Sequence, residues 1–511
     1  MIVTTDQKVL QAFIERRHPD YAEMEPHWEF LEHTYKGGRE WFEDNIFQYL
    51  KEGEKEYKAR IKRCYRFNHS REVVDLIQKY VFKSHIVRND TDAPIEVKDF
   101  WKTATLSGLD IQQFMRIVGT MSSLYGRIWV FTDSTKTSDV ISKAEENSAA
   151  ARVYAYIVDP EDALDMGFDD LGELNWFLVR ETVRDDLDPL MSSGEVYEQF
   201  RLWTRDEWVL WRPVMDDKKN VTIKLIGQGV HGLGRVPCFP VDHVIGDNRY
   251  SAPGLIDDIA YLDRAIANYL SNLDAIIQDQ TFSQLAMPAQ NILPGDDLYN
   301  QLMEMGTKRV FVYDGEGGTQ PFYLSPDPKQ AGVIIEVINK IIAEIYHTIG
   351  MSGERTKQDN AVGIDNSSGV AKAYDFERVN SLLASKAAAL ENAENALVTL
   401  VMLWHSKSAP AAELVKYPEN FDVRGLYDEV TLANQLALID APASVRRYQM
   451  EQLVDKLFPR LSEELKKTLK SELEGWPVAP ADVTSPPSPT IAKARNPLTQ
   501  NRQGQVTGST Q

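Results

Sequence analysis

Hydrophobic residues recur every three to four positions over much of the first 125 residues, which is the pattern of amphipathic helices. The predicted helices span residues 6–17, 28–35, 54–66, 71–82 and 111–125. From residue 128 to about residue 240 the pattern changes to short β-branched and aromatic runs, separated by turns rich in Asp, Gly and Ser. The predicted strands span residues 153–158, 176–183, 197–203, 207–212 and 221–226. The chain is therefore expected to begin with helices and to continue as an antiparallel sheet.

Helical periodicity returns at Gly254. Residues 255–279 carry one apolar stripe, and residues 329–349 carry a broader apolar face. The segment between them is rich in Pro and Gly around the apolar run 309–313, which predicts a small module inserted between two helices. A glycine-rich, polar segment at 350–369 predicts a mobile loop, and it leads into a helix of roughly 36 residues at 370–405.

The last ninety residues divide into two parts by composition. Short helices are predicted at residues 428–439, 443–457 and 462–473, where apolar residues keep a helical spacing. Residues 477–511 consist largely of Pro, Ser, Thr, Gln and Asn and contain no aromatic residue. Such a composition cannot bury enough apolar surface to fold, so we expect a disordered tail there.

The charge of the chain argues against a surface that grips nucleic acid. It has 56 Lys and Arg residues against 76 Asp and Glu residues, a net charge of −20. Tight binding to phosphates requires the opposite sign, although an acidic wall is compatible with DNA that passes through as cargo and is repelled from it. The segment 51–71 is locally basic and includes Lys58, Arg60, Lys62 and Arg63. These side chains fit either a solvated helical face or a contact with DNA or an acidic neighbour.

The sequence contains no complete catalytic motif. A literal G-x-G-x-x-G occurs at Gly227, Gly229 and Gly232, but Pro237 and Pro240 follow and leave no room for the helix that a dinucleotide fold requires. An ordinary glycine-rich turn is therefore the favoured interpretation. P-loop, zinc-protease and nucleophile-elbow motifs do not occur. We expect no enzymatic activity and no cofactor.

Metal binding and disulfide formation are not indicated. Cys64 and Cys238 are the only cysteines and are far apart, which favours a reduced, intracellular setting. Two groups of carboxylates could in principle hold a metal ion, but solvated side chains at helix starts and turns are the favoured interpretation. These groups are Asp257 with Asp258, and Glu161, Asp162 and Asp165 with Asp169 or Asp170. Similarly, Trp203, Trp208 and Trp211 alternate as in a strand and favour packing over base stacking. No stretch is apolar enough to predict a membrane span.

The order of elements and several short sequences together resemble the portal proteins of tailed double-stranded DNA bacteriophages, which form the head-to-tail connector ring. The local matches are YKGGR at 35–39, YGRIWV at 125–130, VPCFPV at 236–241 and YLSPDP at 323–328. The resemblance implies an α+β fold that is mainly helical and has a β-rich wing. The implied division is a wing (1–254), stem helices (255–285 and 329–349), a clip (286–328), a tunnel loop (350–369), a long helix with wing return (370–426), a helical crown (427–476) and a disordered tail (477–511).

The resemblance also implies a function. Portal proteins form a ring, generally of about twelve subunits, at one capsid vertex, through which DNA is packaged and ejected. The implied partners are sister copies, the major capsid protein, the large terminase and the head-to-tail adaptor proteins, with DNA as cargo. The implied location is the virion, and the host cytoplasm during assembly. The implied channel residues of the tunnel loop are Arg355, Lys357, Asp359 and Asp365.

Two other functions remain open from the sequence. Another ring-forming head-completion or tail component is one alternative, although such proteins are usually shorter and lack a long helix after a glycine-rich loop. An uncharacterised hydrolase or nucleotidyl enzyme is the other. Rings with a central hole would favour the first group, whereas a dispersed monomer stabilised by nucleotide would favour the enzyme.

Overall fold

The computed structural model shows an α+β chain that divides into two units, Met1–Asp422 and Val423–Gln511. The description covers residues 6–50, 52–135, 152–215, 221–281, 284–288, 310–313, 320, 322–324, 328–350, 369–419 and 421 of the first unit. In the second unit it covers residues 444, 445, 447, 448, 450, 451 and 463–474. Within these residues, helices dominate the beginning and the end of the first unit, and antiparallel sheets lie between them.

Within the described part of the chain, seven helices precede the first long strand: α1 (Gln7–Ile14), α2 (Pro19–Lys36), α3 (Glu40–Asn45), α4 (Glu54–Arg63), α5 (His69–Val81), α6 (Ile95–Lys102) and α7 (Ile111–Tyr125). Helix α7 begins with a capping box, in which the Asp110 carboxylate accepts a hydrogen bond from the Gln113 backbone N–H at 2.8 Å. It ends at Gly126, whose φ of +81° and close approach to the Ala252 carbonyl leave no room for a Cβ. The predicted end of this helix is thus confirmed.

Two sheets occupy the middle of the first unit. One has the order β3-β2-β9, built from β2 (Arg127–Ser134), β3 (Val153–Val158) and β9 (Cys238–Asp242). The other is a five-stranded meander of β4 (Ala163–Phe168), β5 (Leu174–Arg184), β6 (Val196–Thr204), β7 (Glu207–Met215) and β8 (Val221–Val230). Every pairing in both sheets is antiparallel, as predicted.

The interpretation of the G-x-G-x-x-G as a glycine-rich turn is wrong for its first two glycines. Gly227 and Gly229 lie inside strand β8, where both face Trp208 on the neighbouring strand. A Cβ at Gly229 would come within 2.7 Å of the Trp208 indole nitrogen. These glycines therefore make room for a large aromatic side chain within the sheet. Only Gly232, with a φ of +62°, lies beyond the strand, in the loop that leads to β9.

The later helices are α8 (Ile259–Thr281), α9 (Pro328–Thr348) and α10 (Gly369–Trp404), the last with 36 residues. Helix α8 packs against α9. A small sheet is formed by β10 (Gln284–Pro288), β11 (Val310–Tyr313) and β12 (Phe322–Leu324), with β10 in the centre, parallel to β11 and antiparallel to β12. Strands β1 (Val87–Arg88) and β13 (Val415–Lys416) form a short antiparallel pair.

Helix α10 is the central element of the main hydrophobic core. Its residues Leu383, Leu390, Leu397 and Val401 are all buried, and the helix contacts α5, α6, α7 and strands β2 and β9. A second core lies between α1 and one face of the five-stranded sheet, where Leu10 and Ile14 cover strand residues. The N-terminal helix thus shields a sheet face that would otherwise be exposed to water.

Parts of the expected organisation fall outside the described residues. They are nearly all of the predicted tunnel loop (350–369), the predicted helix at 428–439, most of that at 443–457, and the tail (477–511). The second unit contains α11 (Glu463–Glu474), close to the predicted helix at 462–473. The division into wing, stem, clip and crown stays a prediction. Among the described helices, none combines the length and the apolar character that crossing a membrane requires.

Candidate assembly interface

Buried polar side chains fix helix α8 to the N-terminal helices. The Arg60 guanidinium donates to the Ser271 hydroxyl at 2.8 Å, to the Phe47 carbonyl at 2.7 Å and to both oxygens of Glu52. The hydrogen bond from Arg60 also lowers the pKa of the Glu52 carboxyl. A buried guanidinium needs acceptors for its five N–H donors, and these contacts supply four of them. Helices α4 and α8 are therefore held together as one framework.

The prediction that Arg60 could contact DNA or an acidic neighbour is wrong. Arg60 is buried and faces α8, so it cannot reach DNA or an acidic neighbour in this fold. Lys58, Lys62 and Arg63 lie on the exposed side of the same helix. Lys58 is 3.1 Å from Glu54, and Arg63 is 3.7 Å from Asp274 on α8. A contact through these three residues stays a prediction.

Helix α9 is anchored at its C-terminal end and exposes apolar side chains near its N-terminal end. The Tyr346 hydroxyl donates to Glu72 on α5 at 2.8 Å, and Ile338 and Ile345 are buried. Near the start of the helix, Val333 is 59% exposed and Ile335 is 46% exposed. Residues two positions apart on a helix are rotated by about 200°, so these two side chains lie on nearly opposite sides of α9. This part of α9 therefore exposes apolar surface on two sides that other chains can cover in an assembly.

The predicted channel residues Arg355, Lys357, Asp359 and Asp365 all lie outside the described residues. The structure describes what borders them. Helix α9 is followed by Gly350, whose φ of +79° is accessible to glycine, and a Cβ there would come within 3.0 Å of Arg378 on α10. Helices α9 and α10 are therefore in close contact near Gly350.

Four of the candidate metal-binding carboxylates have other partners in the described structure. Asp162 pairs with Arg180 at 2.8 Å, Asp165 pairs with Arg16 at 3.0 Å, and Asp169 pairs with Arg205. Asp257 accepts a hydrogen bond from the Gly254 backbone at 2.8 Å. Burial, together with nearby Glu32, raises the pKa of Glu161 to about 7. Within the described ranges, no three acidic, His or Cys side chains are placed to hold a metal ion.

The tryptophans of the five-stranded sheet are packing residues, as expected. Trp203 and Trp211 are buried, and Trp208 packs partly buried against Gly227 and Gly229. A cavity of about 530 Å³ opens near this sheet, and its charged groups pair with one another. Arg201 contacts Glu181 at 2.5 Å, and the Tyr154 hydroxyl donates to Asp133 at 3.0 Å. Arg201 therefore offsets one of the two carboxylate charges that line the cavity, and the Tyr154 hydroxyl hydrogen-bonds to the other.

The solved structures that are similar to this chain include two from gene transfer agent particles. One is a chain in the neck of an empty gene transfer agent particle, computed with C6 symmetry, at 11% identity and a TM-score of 0.39; the alignment covers 74% of this chain and 89% of that chain. The other is a chain in the virion of a native gene transfer agent particle, at 12% identity and a TM-score of 0.36, covering 79% and 89% of the two chains. No protein-family model and no curated protein matches the sequence.

Proposed function

We propose that this chain is a phage portal protein, the subunit of a ring at one capsid vertex through which double-stranded DNA is packaged and ejected. The observation that carries the proposal is the exposed apolar surface near the start of α9. Val333 and Ile335 lie on nearly opposite sides of this helix, and both are exposed although the helix also packs against α8. Burying a side chain of this type stabilises by about 1.5–3 kcal/mol, so sister copies that cover these two side chains supply a driving force for assembly.

A ring requires that one surface of each subunit binds a different surface of the next, so that the rotation closes. The long helices α8, α9 and α10 suit this geometry because each can contribute one face within its own chain and another between chains. The element order found in the described residues also agrees with the portal arrangement. It runs from helices through sheets to a helix, a small sheet, a second helix and a very long third helix.

The net charge of −20 supports DNA as cargo rather than as a tightly bound ligand. A duplex that moves through the ring must not adhere to its wall, and like charge favours passage. In this proposal Arg355 and Lys357 touch phosphates transiently, while Asp359 and Asp365 repel them. The large terminase and later the adaptor proteins bind the clip, and the major capsid protein surrounds the ring. The chain itself has no enzymatic role and needs no cofactor.

The double substitution Val333→Asp with Ile335→Asp is expected to abolish ring assembly while leaving the subunit folded. Two buried carboxylates in an apolar interface cost several kcal/mol, whereas both residues are exposed in the single chain. Asn339→Asp adds a single negative charge at an exposed polar position of the same helix and serves as the control. Size-exclusion chromatography with light scattering measures the assembly, and circular dichroism measures the fold. Equal ring yields from the double variant and the control would contradict the proposed interface.

A further inference from the structure

The hairpin between β5 and β6 presents an unusual apolar tip. Leu187 is 98% exposed, Leu190 is 91% exposed and Met191 is 84% exposed. The turn is nevertheless ordered, because the Asp188 carboxylate accepts hydrogen bonds from the Leu190 and Met191 backbones at 2.9 and 3.1 Å. Three large apolar side chains on one ordered turn are more than scattered surface residues, and such clusters mark interaction sites.

Acidic residues surround this tip. Asp186, Asp188 and Glu195 are exposed and lie within a few residues of the three apolar side chains. The hairpin therefore offers an apolar knob with a negative rim. The tip side chains are almost fully exposed, so none of the described residues of their own chain covers them.

A recess with the complementary character lies on α8. It has a volume of about 310 Å³ and is lined by Phe47, Tyr261, Arg264, Ala265, Asn268 and Tyr269. The Arg264 guanidinium lies 4.7 Å from the ring centre of Phe30, 5.0 Å from that of Tyr261 and 5.5 Å from that of Phe47. Among the described residues, no carboxylate lies within ion-pair distance of Arg264. The recess thus combines aromatic walls with an available positive charge.

The walls of the recess are held in place before any partner arrives. The Asn268 side chain accepts a hydrogen bond from the Phe47 backbone at 3.0 Å and donates one to the Asn45 carbonyl at 2.9 Å. On the other side, His27 stacks on Tyr261, and its ring nitrogen lies 3.0 Å from the Tyr261 hydroxyl. A preformed recess of Phe, Tyr and Arg has the composition of an interface hot spot and loses little entropy on binding.

We propose that the β5–β6 hairpin of one copy inserts into the α8 recess of a neighbouring copy. Leu187, Leu190 and Met191 then cover the aromatic walls, and the acidic rim pairs with Arg264. The two surfaces are complementary in sign and in apolar character, and both belong to this chain. Because they are different surfaces, the contact runs from head to tail and can repeat around a ring. The inference rests on the proposed ring and names one of its subunit contacts.

Cysteine cross-linking of the full chain tests this contact. Cys64 and Cys238 are both buried, so they leave the surface free for engineered pairs. The double variant Met191→Cys with Ala265→Cys, oxidised in solution, is expected to give a ladder of covalent dimers, trimers and larger species. The variant Leu171→Cys with Ala265→Cys is the matched control, because Leu171 is equally exposed at the opposite end of the sheet. It is expected to give no ladder.

The results of the cross-linking experiment distinguish the contact between hairpin and recess from the assembly of a ring. A ladder supports both, and covalent dimers alone support the contact but contradict a repeating ring. Rings seen by microscopy without any cross-link at these positions would overturn the docking contact and leave the proposed function intact. Adding Arg264→Glu to the cross-linking pair is expected to lower the cross-linked yield about tenfold, since it removes a hot-spot charge and repels the acidic rim. An undiminished yield would contradict the role given to Arg264.

Discussion

Replacing Lys386 by methionine is expected to stabilise the chain by roughly 2–4 kcal/mol at pH 7. Lys386 is fully buried in α10, and its ammonium nitrogen is 2.6 Å from the Ser122 hydroxyl. Burial lowers the pKa of Lys386 to about 7, from 10.5 in an exposed chain. The folded state therefore carries a cost that an apolar side chain of similar length does not have.

The pKa values of Lys386 in the folded and the unfolded chain determine how the free energy of unfolding changes with pH. Between pH 7 and pH 10.5 the unfolded chain keeps the Lys386 proton and the folded chain releases it, so the free energy of unfolding rises with pH. The difference in the free energy of unfolding between Lys386→Met and the wild type should therefore decrease by about 1.4 kcal/mol per pH unit above pH 7. Burial, with Lys386 nearby, lowers the pKa of His243 from 6.5 to about 2, so His243 stays neutral in the folded chain and is mostly neutral in the unfolded chain above about pH 7.5.

Urea denaturation of the wild type and Lys386→Met at pH 7.5 and 8.5, at one chain concentration, measures this effect. Lys407→Met is the matched control, since Lys407 is half-exposed and pairs with Glu96 on the surface. Its stability difference should stay small and independent of pH. If the free energies of unfolding of wild type and Lys386→Met differ by the same amount at both pH values, the buried amine of Lys386 does not titrate between pH 7.5 and 8.5, which would contradict the prediction.

Truncating Glu394 to alanine is expected to destabilise the chain by about 3–5 kcal/mol. The Glu394 carboxylate is fully buried and accepts hydrogen bonds from Arg88 at 2.5 and 3.0 Å and from the Tyr417 hydroxyl at 2.8 Å. Its removal leaves a guanidinium and a phenol without their acceptor inside the protein. This pair joins α10 to the short strands β1 and β13, so those strands should lose protection first.

The exposed pair of Asp99 and Lys102 on α6 provides the comparison for Glu394. Its nitrogen and oxygen are 3.0 Å apart, and both side chains are largely solvated. Asp99→Ala should change the free energy of unfolding by less than about 1 kcal/mol. Thermal denaturation of the two variants compares the effects, and hydrogen exchange identifies the strands that open. Equal destabilisation by both substitutions would contradict the distinction between the buried and the exposed pair.

The long elements could be predicted from sequence because a regular pattern repeats over many turns. Helices α7, α9 and α10 begin and end within a few residues of the predicted limits. The short helices α3 and α6 were missed because one or two turns give too little periodicity. Strand β9 contains Pro240, which is tolerated because β9 lies at the edge of its sheet. Strand β4 contains Asp165 and Gly167, residue types that are rare in strands.

The candidate interface was only partly visible in the sequence. The broad apolar face of α9 was predicted, but Arg60 was grouped with exposed lysines because its partners Glu52 and Ser271 become neighbours only in the fold. The recess around Arg264 draws its walls from α2, the segment after α3 and α8, so no local pattern could indicate it. Buried charges such as Lys386 and Glu394 look like solvated helix residues until tertiary packing encloses them.

Class averages from negative-stain microscopy of the purified full-length chain test the central claim most directly. The proposed portal function predicts annular particles of uniform subunit number with a central hole wide enough for duplex DNA. These rings should persist in moderate salt, because apolar side chains such as Val333 and Ile335 drive the assembly. Particles of monomer size at every protein and salt concentration would contradict a ring-forming portal subunit.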